Sequence, residues 1–319
     1  MIRAVPVVAS AAALVACGSP MDGALVRVTV PRGAPFAVVA ESLVTHQVVA
    51  DRDLFAFYAR VTGRQRAIQA GTYELARGLS YFDLIETLTT GRAAAYERVV
   101  IPEGLMLSEV AAAVQQQLGI PVDDFLAAAR DSALRDRLGV PAPTLEGYLY
   151  PSTYYVGAGA GADDVVRQMV QEFGSRWRPE WTPRLDSIGM SRHELVTLAS
   201  IIEGEVRHPA DRKYVASVYH NRLERGMRLQ ADPTVIYALG RRRRLFERDY
   251  QRVSPYNTYV IDGLPPGPIA QPSAASIAAA LYPARTNFLF LVARPDGQHI
   301  FTRTLREHLA AVREVRSGR

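Results

Sequence analysis

Two rhythms of apolar and polar positions run along the chain, and one of them occurs twice. Segment Val28–Arg60 aligns without a gap onto Val99–Asp131, so that Val28, Pro31, Gly33, Val39, Ala40, Asp53 and Ala56 meet Val99, Pro102, Gly104, Val110, Ala111, Asp124 and Ala127. Each copy predicts a short strand, a Pro-x-Gly turn, an amphipathic helix and a second helix starting near the Asp. In the second copy Ser108 is placed to cap its helix and Gly119 to end it. Between the copies, Gly71–Leu75 reads as a strand and Ser80–Leu88 as a helix. Such a repeat suits a small α+β module that grips a polymer.

A Pro- and Gly-rich passage, Gly139–Ala162, interrupts the pattern, and a domain boundary is expected around Ala142. Beyond it the rhythm is helical. Helices are predicted over Asp163–Arg176, over Ser191–Val206 with Ser191 and Glu194 as a capping box, and over Asp211–Arg225, closed by Gly226. Asp232-Pro233 starts a helix that runs to Leu239, with the Asp as its cap, and another covers Ser273–Leu281. Phe288–Ala293 and His299–Thr302 form a hairpin turned at Asp296-Gly297, and Thr304 with Glu307 caps a final helix. The fold class is therefore α+β, with a mostly helical second domain.

Composition narrows the chemistry. The 319 residues carry 37 Lys+Arg against 32 Asp+Glu, and 48% are hydrophobic, which describes a folded globular chain rather than a disordered one. Six His and one Cys cannot build a zinc-finger array or a disulfide framework. Nearly all the basic residues are Arg, since Lys213 is the only lysine, and the excess is not gathered on one segment. A nucleic-acid partner is therefore not expected. Arg241–Arg244 reads as a solvated loop.

The one cysteine has a telling place. Cys17 closes an apolar run, Ala4–Ala16, behind Arg3, and a helix of that length rises only about 20 Å, short of a hydrocarbon core of about 30 Å. Residues 1–16 read as a secretory signal, and Leu14-Val15-Ala16-Cys17 resembles a bacterial lipobox. Cleavage before Cys17 and lipidation of its thiol would leave residues 17–27 as a linker and hold the exported protein on a cell-envelope membrane. A marginal spanning anchor is the competing reading.

The richest polar cluster lies at Ser200-Ile201-Ile202-Glu203-Gly204-Glu205. At about 100° per residue, positions two apart sit about 160° from each other, so the two glutamates cannot both face one bond. Glu205 follows Ile201 and Ile202 one turn back, whereas Glu203 follows Ala199 and Ser200. The more apolar setting should raise Glu205 more, as a general acid at neutral pH requires. Glu205 is the better acid and Glu203 a supporting or substrate-facing group. Spacing alone equally allows two solvated residues on the rim of an amphipathic helix. Asn221, Gln230, Asp232 and the segment Ser254–Tyr259 add amides, hydroxyls and ring faces suited to sugars. No HExxH, GxSxG or GxxxxGK[ST] pattern is present.

Taken together, Leu198–Glu205, Val215–Leu223, Gly226–Tyr237, Ser254–Tyr259, Gly263–Ile269 and Pro283–Thr286 resemble the YceG-like endolytic murein transglycosylases, in order and spacing. Gly71-Thr72-Tyr73 and Ser80–Gly91 resemble that family's LysM-like subdomain. The resemblance implies a LysM-like module over 28–141 and a catalytic domain over 142–319. It also implies cleavage of peptidoglycan between N-acetylmuramic acid and N-acetylglucosamine from within the strand, leaving a 1,6-anhydro end. Glu205 becomes the acid and then the base, while Glu203, Asn221, Gln230, Asp232, Tyr256, Asn257 and Thr258 bind substrate. No metal or cofactor is required, and peptidoglycan synthases are the implied partners. Two departures stand out: a lipobox-like signal where members usually carry a transmembrane helix, and Gly204 where many carry Lys or Arg. A non-catalytic peptidoglycan-binding lipoprotein and a muramidase-type hydrolase are the alternatives.

Overall fold

The computed structural model describes residues 25–91, 96–157 and 159–318. The signal, Cys17 and most of the expected linker lie outside the described residues. The chain divides into two compact units between Ala95 and Tyr96.

The first unit contains strand β1 (Leu25–Val30), helices α1 (Phe36–Thr45) and α2 (Arg52–Val61), strand β2 (Gly71–Ala76) and helix α3 (Tyr81–Thr90). β1 pairs antiparallel with β2, from Leu25 opposite Ala76 to Val30 opposite Gly71. The strand thus begins three residues before the expected Val28. Asp51 caps α2 by accepting the Asp53 and Leu54 amides at 2.9 Å, and Ser80 caps α3. Val28, Leu43, Phe55, Ala59, Leu75, Leu84 and Leu88 are wholly buried and form its core.

The second unit opens with the second copy: β3 (Tyr96–Val100), α4 (Leu107–Leu118), α5 (Val122–Ala128) and the short α6 (Ser132–Leu138). Gly33 and Gly104 occupy matching left-handed positions, φ +73° and +75°, which the Pro-x-Gly turns require. The expected cap of α4 moves: Met106 is the N-cap, and Glu109 reaches back to accept its amide at 2.8 Å, so Ser108 lies inside the helix. Gly119 ends it in the left-handed region as expected.

The Pro- and Gly-rich passage holds an unexpected strand, β4 (Thr153–Gly157), which pairs antiparallel with β3, Val100 opposite Thr153. That pairing ties residues 96–141 to the second unit, so the division falls at Ala95 and not near Ala142. A helix follows β4, α7 (Ala162–Arg176), just as α3 follows β2. The repeat therefore extends to a whole strand–helix–helix–strand–helix unit. Its second half keeps a short match, Thr72-Tyr73 with Thr153-Tyr154, each tyrosine standing opposite the first matched valine of its copy, Val28 or Val99.

Next come α8 (Trp181–Ile188), α9 (Arg192–Glu205), α10 (Arg212–Glu224), α11 (Asp232–Leu239), α12 (Glu247–Tyr250) and α13 (Ala274–Leu281). The hairpin of β5 (Phe290–Ala293) and β6 (His299–Thr302) and the last helix α14 (Leu305–Ser317) close the chain. The Ser191–Glu194 and Thr304–Glu307 capping boxes both form. Helix α9 is the centre of this unit. Every residue from Leu195 to Ile202 is buried, and α8, α10, α11 and α13 pack around it. It is therefore a core helix rather than an amphipathic rim, and only its two ends emerge, Arg192–Glu194 and Glu203–Glu205.

A strap runs over α9 from Pro265 to Ser273. The Ile269 amide donates to Ser200 Oγ (3.0 Å), and the Gln271 amide to the Leu105 carbonyl (2.8 Å). The Gln271 side chain accepts the Leu149 amide and donates to buried Glu146 at 2.6 Å. The strap thus fastens the second repeat copy to the helix that carries the glutamates. Gly147 makes room for it, since a Cβ there would lie 2.4 Å from Pro268.

Candidate active site

Glu205 ends α9, half-buried, with one carboxylate oxygen (Oε2) shielded from solvent and without a hydrogen-bond partner. Burial pushes its carboxyl up to about 7, and the negative charge of Asp232 pushes the same way. A hydrogen bond from Tyr219 and the charges of Arg222 and Arg207 oppose the rise. A carboxyl that keeps its proton near neutrality is equipped to act as a general acid. Tyr219 is buried on α10 and is itself pushed well above the ordinary phenol range.

Glu203 is also buried but fully occupied. Its Oε2 accepts from the backbone amide (2.9 Å) and hydroxyl of Ser273, the N-cap of α13, and Oε1 lies 3.6 Å from Arg212. It pins the start of α13. The helix end therefore splits the two carboxylates as the 160° separation requires: one braces, one is left poised. Glu103, in the turn before Gly104, is raised by burial and by the charge of Glu203.

The remaining expected residues separate into two groups. Gln230 and Asp232 are exposed, and the charge of Asp232 acts on Glu205. Gln230 sits at φ +49°, unusual for a side-chain-bearing residue, with its amide held by the Thr258 carbonyl and its side chain by Arg222. Asp232 is the first residue of α11, not its cap, which is Ala231, and it accepts from the Tyr259 hydroxyl at 2.7 Å. Tyr256 is half-buried, its ring 4.7 Å from that of Tyr237.

Asn221, Asn257 and Thr258 work internally. Asn221 donates both amide protons to the carbonyls of Thr286 and Phe288. Asn257 is wholly buried, donating to the Tyr250 and Arg252 carbonyls and accepting the Tyr259 amide. Thr258, also wholly buried, accepts the Ala231 amide at 2.9 Å. In this structure the amide protons of Asn221 and the polar atoms of Asn257 and Thr258 are engaged with other parts of the chain. The arginine run is exposed except for half-buried Arg243, and two of its members are paired: Arg242 grips Glu109 and the Gly104 carbonyl, and Arg243 forks onto Asp249. Tyr250 was not expected at the site at all, since a lone tyrosine in a charged loop carries no periodic signal. Among the described residues no group of three or more His, Cys, Asp or Glu is arranged to hold a metal ion.

Comparison with known proteins gives the family. The YceG-like family matches residues 28–314. The chain belongs to the YceG-like family. An endolytic murein transglycosylase of Bacillus subtilis is 33% identical over 299 residues, covering 89% of this chain and 82% of that protein. One from Streptococcus pneumoniae D39 is 28% identical over 315 residues, and the match spans only 57% of its length. The crystal structure of a YceG-like protein from Listeria monocytogenes superposes with a TM-score of 0.63 at 32% identity, covering 91% of this chain and 99% of that one. Against the YceG-like pattern, the departure at Gly204 has a local reason. A Cβ there would stand 2.8 Å from Pro233, so the glycine lets α9 end directly against the start of α11.

Proposed function

We propose that the chain is an endolytic murein transglycosylase that cuts peptidoglycan glycan strands internally and so limits their length, with Glu205 as its acid and base. The observation that carries this reading is the half-buried, proton-retaining carboxyl of Glu205 at the open end of a core helix, in a YceG-like chain whose relatives bear that name. The Glu205 proton passes to the bridging oxygen, and the muramoyl C1–O bond breaks with its electron pair on the departing N-acetylglucosamine. The muramoyl C6 hydroxyl attacks C1, and its proton returns to Glu205. No water enters, and the product ends in 1,6-anhydromuramic acid.

Gln230 and Tyr256 face the glycan in this reading, while Glu203, Asn221, Asn257 and Thr258 hold the walls. The first strand–helix–helix–strand unit serves as a LysM-like wall-binding module. Cys17 carries a lipid that keeps the enzyme at the envelope membrane, where peptidoglycan synthases are its working partners. Among the described residues no helix is long and apolar enough to cross a membrane.

The test is mass spectrometry of digested sacculi. Wild type should release anhydromuropeptides, Glu205→Gln none, and Glu203→Gln an appreciable share. Reducing muramic ends would identify a muramidase instead, and binding without cleavage a non-catalytic wall protein. Intact mass of the protein recovered from membranes checks the anchor, which fails if Met1–Ala16 is retained.

A further inference from the structure

Glu205 is the one carboxylate the proposed reaction needs, yet a second one is braced beside it far more heavily than an exposed aspartate requires. Asp232 does not cap α11. Its partners are two phenols: Tyr259 donates to Oδ1 at 2.7 Å, and Tyr250 also hydrogen-bonds to it. The two rings lie 4.7 Å apart at 55° to each other. Asn257 holds that pair together through the backbone, donating to the Tyr250 carbonyl (3.1 Å) and accepting the Tyr259 amide (3.0 Å). Thr258 fixes the chain just before Asp232: its hydroxyl accepts the Ala231 amide, and its carbonyl accepts the Gln230 amide at 3.1 Å. Thr234 closes the knot by donating to the Ala231 carbonyl at 2.7 Å. On the other side, the Gly204–Pro233 approach presses α11 against the end of α9.

We infer that Asp232 is a second catalytic carboxylate, one that stabilises the positive charge developing on the muramoyl ring as Glu205 breaks the glycosidic bond, and that Tyr250, Tyr259, Asn257 and Thr258 are the positioning residues that aim it. The inference rests on the transglycosylase reading. When the C1–O bond breaks, C1 and the ring oxygen share positive charge until the C6 hydroxyl closes on C1. A fixed carboxylate facing that charge stabilises the transition state without reorganising. Asp232 forms no bond and moves no proton. Phenols suit the task because they hold a carboxylate by hydrogen bonds while leaving its charge uncompensated, whereas an arginine would cancel it. The charge of Asp232 already acts on Glu205, alongside Tyr219 and Arg222 from α10 and Arg207 beyond α9.

The experiment measures kcat and KM for muropeptide release from purified sacculi by the full-length protein, as wild type, Asp232→Asn, Tyr259→Phe and Tyr250→Phe, across pH 4.5 to 9. Asp232→Asn should lower kcat by about 100-fold or more, change KM less than about threefold, and move the alkaline limb of kcat/KM to lower pH as Glu205 loses a neighbouring charge. Tyr259→Phe should lower kcat about tenfold with KM preserved; because it removes one hydroxyl from a half-buried ring, it answers the question even if Asp232→Asn folds poorly. A loss confined to KM, or wild-type kcat in Asp232→Asn and Tyr259→Phe, overturns the inference. Failure of the underlying reading looks different, since the wild type itself would then yield no anhydro ends.

Discussion

Two glutamates separated by one glycine have opposite fates at the end of α9. Glu203 faces Ser273 and Arg212, while Glu205 faces Tyr219 and Asp232. Replacing Glu203 by Gln keeps an acceptor for Ser273 but removes the charge paired with Arg212. That should cost about 1–2 kcal/mol in thermal or denaturant unfolding, with most activity kept. Glu205 should show the reverse. Because the proposed reaction begins with a protonated Glu205, kcat/KM should be level below about pH 7 and fall above it. In the folded protein that proton is held to higher pH than in the unfolded chain, so Glu205 weakens the fold as pH rises from about 4.5 towards 7. Glu205→Gln should therefore abolish cleavage yet raise the melting temperature at pH 8, with little change at pH 4. Gly204 sits between them: Gly204→Ala gains helix propensity of about 1 kcal/mol but drives a Cβ into Pro233. Its melting point should move little, while kcat falls as Asp232 is displaced.

The elements were legible to the extent that they are local. The first half of the repeat, the two capping boxes, the helix closed at Gly226 and the hairpin all follow from side chains within a few residues of one another. Strand β4 was not legible, because it exists through its pairing with β3 some fifty residues earlier. Helix α9 shows the same limit. Its stripe of Leu195, Leu198, Ala199 and Ile202 reads as one buried face, yet Val196, Thr197, Ser200 and Ile201 are buried as well, because four helices surround it. The 254–259 segment looked like a sugar-binding loop since its side chains are polar. In the structure Asn257 and Thr258 satisfy backbone groups, and the loop delivers Tyr259 to Asp232, where it joins Tyr250 from α12. Asn257→Ala would strand the Tyr250 and Arg252 carbonyls and the Tyr259 amide, costing about 2–4 kcal/mol in unfolding. Activity should fall further than stability at assay temperature, measured on the same preparation.

Across the molecule, the titrating groups pull in two directions. Burial raises Glu205 to about 7 and Glu146 to about 8. Both hold protons that the unfolded chain has released, so stability falls as pH climbs from about 4.5 to 8. Glu109, Glu194 and Asp249 are lowered by hydrogen bonds from Arg242, Ser191 and Arg243 respectively. Their stabilisation is present above the unfolded values and is lost as pH drops through the folded ones. Melting temperature measured from pH 3 to 9 at constant ionic strength should therefore peak near pH 5, and Glu205→Gln should flatten its alkaline side.

By itself the sequence determined the α+β class, the doubled strand–turn–helix pattern, the lipobox-like start and the opposite facing of Glu203 and Glu205, because each depends on residue types at short spacing. Only the tertiary structure decided where the chain divides, which polar residues satisfy distant backbone groups, and that two tyrosines hold Asp232 close enough for its charge to act on Glu205. Those outcomes depend on which distant backbone groups need partners once the core is closed, and no local pattern records that need.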